Sequence, residues 1–265
     1  MDGSGIRNAP WFSDDPDPAV PRQIFPTAAD PYLARLRRWF ELDRRILGAD
    51  TDLERVRAVC ASVHGRWTHS NDDEPTHEDA ITILEEAARG KRFRCVQFGI
   101  VLAGALAAFG IPARVVAMMS RDVETRERGA SHVVAEAWLG SFGKWALFDA
   151  QENASVLREG IPLSAAEVAQ HIGAPDLEVR LPGLPPGVDP RAYLGPHGFG
   201  DNFYYLQTRV DQRRDTPEQS SNERDFPSIM LVPMGALEPQ VFQRLTPFQN
   251  VTYTRSRRAF YSPPG

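Results

Sequence analysis

The chain has 265 residues, enough for one large domain or for a domain of ordinary size with an elaborated end. Its 42% hydrophobic and 25% charged residues are typical of a globular protein, and a formal net charge of −5 leaves no basic surplus to displace counterions, which argues against a nucleic-acid partner. No apolar run approaches the roughly 20 residues that cross a bilayer, and the start, MDGSGIRNAPWFSDDPDP, has neither a basic region nor an apolar one, so no membrane association, no signal peptide and a cytoplasmic location are expected.

Residues 1–29 carry Pro10, Pro16, Pro18, Pro21 and Pro26 and read as an extended arm, pinned if at all by Trp11, Phe12 and Phe25. Asp30 and Pro31 then open a helix whose apolar residues, Leu33, Leu36, Phe40 and Leu47, run to Gly48. Thr51 and Glu54 form a capping box for a second helix, closed by Gly65. Leu53, Val56, Cys60 and Val63 share its apolar face, so Cys60 is expected to pack rather than react. After the polar loop HSNDDEPTHED, Thr76 and Asp79 approximate another capping box, and residues 81–88 make a third helix ending at Gly90.

The fourth helix lies in GKRFRCVQFGIVLAGALAAFG, residues 90–110. It is apolar nearly all round and slimmed by Gly99, Ala103, Gly104, Ala107 and Ala108, so it should be buried on most sides. Gly110 and Pro112 stop it. The period then changes from 3.6 to 2, and PARVVAMM, SHVVAEAWL and KWALFDA read as three β-strands. Ser164 with Glu167 caps a short helix to His171. From Gly173 the chain is rich in proline and glycine as far as Gly200, and the apolar stretches NFYYLQTRV and SIMLVPMGA flank the polar loop DQRRDTPEQSSNERDFP. Helices followed by antiparallel strands and an irregular tail give an α+β class.

Cys60 and Cys95 are the only cysteines, which leaves no disulfide framework and no cysteine cluster for zinc. Cys95 sits at a helix start behind Lys91, Arg92 and Arg94, and both features favour thiolate over thiol. Histidine is the usual base for such a nucleophile, oriented by a carboxylate or amide. His132 opens one strand and Asp149 closes the next. A four-residue LGSF loop would set Val134 opposite Leu147 and His132 directly opposite Asp149, and a one-residue slip would put them on opposite faces. A metal site from His132 and Glu136 fails, because four residues along a strand span roughly 13 Å.

The segments GKRFRCVQFGIVLAGALAAFGIPARVV, SHVVAEAWL and GKWALFDAQ, taken in order, resemble the transglutaminase-like superfamily, of bacterial type, over about residues 51–155. The resemblance implies a papain-like α+β fold, with the cysteine helix packed on an antiparallel sheet. It also implies a catalytic triad in which Cys95 is nucleophile, His132 base and Asp149 orienting acid. The usual aromatic after the histidine is replaced by Val133 and Val134, and Ala150 and Gln151 follow the aspartate in place of the common proline. The family often uses an upstream aromatic to bind the oxyanion. Trp67 is the candidate here, its indole N–H being a donor only, ahead of His69 and Asn71.

The expected unit is residues 30–173 as catalytic core and residues 174–265 as an extension packed on it, with Phe203, Tyr204 and Tyr205 as candidate cleft walls. The expected chemistry is thiol-dependent acyl transfer on a peptide, protein or small amide, with no cofactor and no metal. Hydrolysis is favoured over transamidation. The rival is a catalytically silent transglutaminase-like module that binds a peptide or protein partner.

Overall fold

A computed structural model describes residues 9–213 and 226–265. From residue 9 the described chain runs through an arm without regular structure and enters α1 (Pro31–Trp39) and α2 (Leu42–Arg45). The sequence predicts one helix as far as Gly48. It breaks instead at Glu41, which takes a left-handed φ of 46°, and the break exposes Leu47 while Leu33, Leu36, Phe40 and Leu42 stay buried. The next helix, α3 (Asp52–His64), has both bonds of the Thr51–Glu54 capping box. For α4 (Ala80–Ala88) the cap is Asp79, whose carboxylate accepts from the Ile81 and Thr82 N–H groups, while Thr76 bonds the Glu86 carboxylate.

The apolar helix is α5 (Cys95–Ala107), and it ends as its sequence requires. Gly110 adopts φ 72°, its N–H donates to the Ala107 carbonyl, and the Ile111 N–H donates to Leu106. Small residues let it approach its neighbours closely. A Cβ on Gly99 would stand 3.3 Å from both the Val133 side chain and the Val134 carbonyl oxygen.

The three expected strands form as β1 (Ala113–Met119), β2 (Ser131–Leu139) and β3 (Lys144–Asp149). They continue into β4 (Ala154–Arg158) and β5 (Ile161–Pro162), then α6 (Ala165–His171), capped by Ser164, and β6 (Leu177–Arg180). The extension contributes β7 (Tyr205–Arg209), β8 (Ser228–Leu231), a small hairpin of β9 (Val241–Phe242) and β10 (Thr246–Pro247), β11 (Val251–Thr254) and α7 (Arg257–Phe260). Residues 214–225 of the loop between β7 and β8 lie outside the described residues, as do residues 1–8 of the arm.

The main sheet runs β11-β8-β7-β1-β2-β3-β4-β5, with β6 also on β4. Every pair is antiparallel except β8 with β11. The alternation of β2 divides the core. Val133, Ala135 and Ala137 pack with α5 on one face, while Val134 joins Leu147, Val156, Tyr193 and Phe203 on the other. The fold is therefore α+β, with the cysteine-bearing helix against an antiparallel sheet. No helix among the described residues is long and apolar enough to cross a membrane.

Candidate active site

The site lies where α5 and β2 both begin. Cys95 is the first residue of α5 and is half-buried, whereas Cys60 is buried. The N-cap, Arg94, has a guanidinium that only donates, so it offers the first-turn N–H groups no acceptor; the Gln97 side chain reaches back to the Arg94 N–H at 3.1 Å. The basic residues before Cys95 are spent elsewhere. Lys91 pairs with Glu86 at 2.9 Å, Arg92 with Asp72 at 3.5 Å and Arg94 with Glu74 at 2.6 Å. Arg92 and Arg94 thereby tie the start of α5 to the acidic loop, and Lys91 ties it to α4.

His132 and Asp149 do meet, by a register that differs from the expected one. Trp138 pairs with Trp145 and Glu136 with Leu147, so the hairpin loop is Gly140–Gly143, not LGSF, and β3 is displaced by two residues. A slip of two keeps every side chain on its face. His132 is therefore diagonal to Asp149 rather than opposite, and the longer diagonal is bridged by the side chains: His132 Nε2 lies 2.6 Å from Asp149 Oδ2.

Nδ1 is then the ring nitrogen left for Cys95, whose sulfur is near enough to favour the charged ring. The α5 body packs on the opposite face of β2 from the imidazole, so this contact is made at the ends of the two elements and not across the sheet face. Burial opposes charge on His132, but the Asp149 carboxylate and the Cys95 sulfur outweigh it, and the imidazole is pushed up to about 10. Burial, with the Asp149 charge nearby, pushes the Cys60 thiol far up, and its S–H donates to the Asp149 backbone carbonyl at 3.5 Å.

Asp149 is fully buried and fully partnered. Its Oδ1 accepts the N–H groups of Gln151 at 2.9 Å and Glu152 at 3.3 Å, and its Oδ2 accepts His132 and the Tyr193 hydroxyl, the latter at 2.9 Å. Phe199 stacks on the His132 ring at 3.6 Å between centroids. Neither Tyr193 nor Phe199 stands out by periodicity. The one local signal is Asp189 before Pro190, which caps a short 3-10 helix, Pro190–Leu194, followed by closely spaced glycines.

The other expected residues fall elsewhere. Trp67 packs against Phe93 and Phe98, and its indole N–H donates to the Phe93 carbonyl at 3.3 Å, so it presents no free donor to an oxyanion. His69 and Asn71 are exposed in the acidic loop. Phe203 packs in the core behind β2, and Tyr204 and Tyr205 belong to a third cluster around Met119 and Met230, so the aromatics beside His132 and Asp149 are Tyr193 and Phe199 instead. Glu136, on the histidine's strand, is fully buried against Arg114 at 2.7 Å.

Residues 41–150 match the family model of the transglutaminase-like superfamily. This stretch is transglutaminase-like. The match holds Cys95, His132 and Asp149 and stops before Tyr193 and Phe199. No curated protein sequence matches the chain.

Among solved structures, a Cytophaga hutchinsonii protein described provisionally as a cysteine protease aligns at TM-score 0.36 and 15% identity, over 57% of this chain and 50% of that one. The periplasmic domain of TgpA from Pseudomonas aeruginosa aligns at TM-score 0.35 and 20% identity, over 46% and 45%. Red sea bream transglutaminase aligns at TM-score 0.33 and 16% identity, over 49% and 30%. The chain thus spans half or less of each, and likenesses of this size add nothing to the family match.

Proposed function

We propose that the protein is a cysteine enzyme that transfers acyl groups from amide or peptide substrates through Cys95, His132 and Asp149. The observation that carries this reading is the single imidazole held between a buried carboxylate and a half-buried thiol at a helix start. The Cys95 thiolate attacks the amide carbonyl carbon, and backbone N–H groups of the first α5 turn face the developing oxyanion. His132 gives its Nδ1 proton to the leaving nitrogen as the C–N bond breaks, leaving a thioester on Cys95. Water then attacks the thioester, His132 takes the proton, and the carboxylic acid leaves with the thiolate restored. Hydrolysis is proposed over transamidation because water needs no second binding site. The substrate is a peptide, a protein or a small amide.

The rival reading, a silent module that binds a partner, draws on the Phe199 ring over His132. One experiment decides between them. A fluorescent peptidyl acyloxymethyl ketone should label the wild-type chain at Cys95 and fail to label Cys95→Ala, with labelling slowed at least tenfold in His132→Ala. Equal labelling of wild type and His132→Ala would leave only the silent module.

A further inference from the structure

Building on the proposed acyl transfer, we infer that Tyr193, supplied from outside the transglutaminase-like core, is a positioning residue that fixes Asp149 and sets how tightly it holds the His132 proton.

The Tyr193 hydroxyl donates to Asp149 Oδ2, the oxygen that also accepts from His132, and Oδ1 is already filled by two backbone N–H groups. A carboxylate turns easily about its terminal torsion, and four donors on two oxygens leave it one orientation. Burial, then the nearby Asp149 charge, push the Tyr193 hydroxyl well up, so it keeps its proton and stays a donor. A donor on Oδ2 draws charge away from the imidazole side. The imidazole must release a proton to the leaving amine, so a less basic partner makes it a better acid.

The same short segment delivers Phe199. The Phe199 N–H donates to the Tyr193 carbonyl at 2.7 Å and its ring meets the Tyr193 ring edge-on, which sets it flat on His132. A Cβ at Gly198 would collide with the carbonyls of Ala192 and Tyr193, and one at Gly200 with that of Leu194, so the segment closes this tightly only with glycine at both positions. The titratable groups facing the couple are Cys95 from α5, Cys60 from α3 and Glu152 from the turn after β3.

The test is the pH dependence of Cys95 carboxamidomethylation by iodoacetamide in the full chain. The alkaline step present in wild type and absent in His132→Ala is the imidazole's. Tyr193→Phe should move that step up by about half a pH unit or more, with the thermal midpoint showing that the fold is kept. Wild-type chain grown on 3-fluorotyrosine, whose hydroxyl is a stronger donor, should move it down and needs no variant to fold. A step unmoved in both would overturn the role of Tyr193 while leaving the thiol–imidazole couple standing. A His132→Ala profile superimposable on wild type would remove the couple itself, and Tyr193's role with it.

Discussion

Asp149 accepts four hydrogen bonds, and that count decides what replacing it does. An asparagine has one acceptor oxygen, so whichever way the amide turns, its NH₂ meets two donors: the Gln151 and Glu152 N–H groups, or His132 and Tyr193. Asp149→Asn should therefore cost about 2–4 kcal/mol of stability as well as at least tenfold in turnover. Urea midpoints beside rates would show it, and an unchanged midpoint would mean the carboxylate is less committed than its contacts indicate.

His132 makes a pH prediction of definite sign. Its folded value, raised to about 10, exceeds its ordinary 6.5, so its contribution to stability is complete below about 6.5 and is lost as pH rises through about 10. The wild-type urea midpoint should fall over that interval, and His132→Ala should flatten the fall. Limited iodoacetamide at pH 6.5 should label Cys95 and spare Cys60, whose thiol burial has pushed up.

At the scale of the element, the alternation of SHVVAEAWL is what makes the site tolerant of register. The hairpin slips by two from the expected pairing, yet faces repeat every two residues, so His132 and Asp149 stay together and only their distance along the sheet changes. The segment holding Tyr193 and Phe199 is less forgiving. Gly198→Ala should force it open, because the colliding atoms are backbone carbonyls with no rotamer to yield. Faster thiol alkylation together with a thermal midpoint several degrees lower is the expected signature, by about 1–3 kcal/mol of strain.

Across the whole molecule, the sheet does not end where the transglutaminase-like match ends. Strand β7 pairs with β1 from Val116↔Thr208 to Met119↔Tyr205, and β8 and β11 extend the same edge. Arg114 adds a second tie. Its guanidinium is buried with Glu136 and lies 4.6–4.7 Å from the Trp145, Phe260 and Tyr261 rings, and Glu136 also accepts from the Tyr261 hydroxyl and the Ala165 N–H. The arm joins the extension as well, through Asp14 with Arg257 and Asp17 with Thr254.

We therefore propose that residues 174–265 are part of the catalytic unit and not an independent domain. A chain ending at residue 173 should lose cooperative unfolding, and residues 174–265 alone should show none. A sharp transition in the isolated segment would contradict this.

The sequence by itself determined most of the local structure and singled out the groups proposed to react. Capping residues place α3, α5 and α6, alternation places β1 to β3, and a thiol at a helix start with a histidine and an aspartate at strand ends points to Cys95, His132 and Asp149 as candidates. These are short-range patterns, written in the residues that obey them. Only tertiary structure decided which partners the basic run takes, since Lys91 pairs with Glu86, and Arg92 and Arg94 with a loop about twenty residues earlier in the chain. It also decided that Trp67's donor is consumed by Phe93 and that Tyr193 and Phe199, forty-four and fifty residues beyond Asp149, join the candidate site. Such contacts depend on the close of a long, irregular, glycine-rich path, and no periodicity in the chain encodes where that path returns.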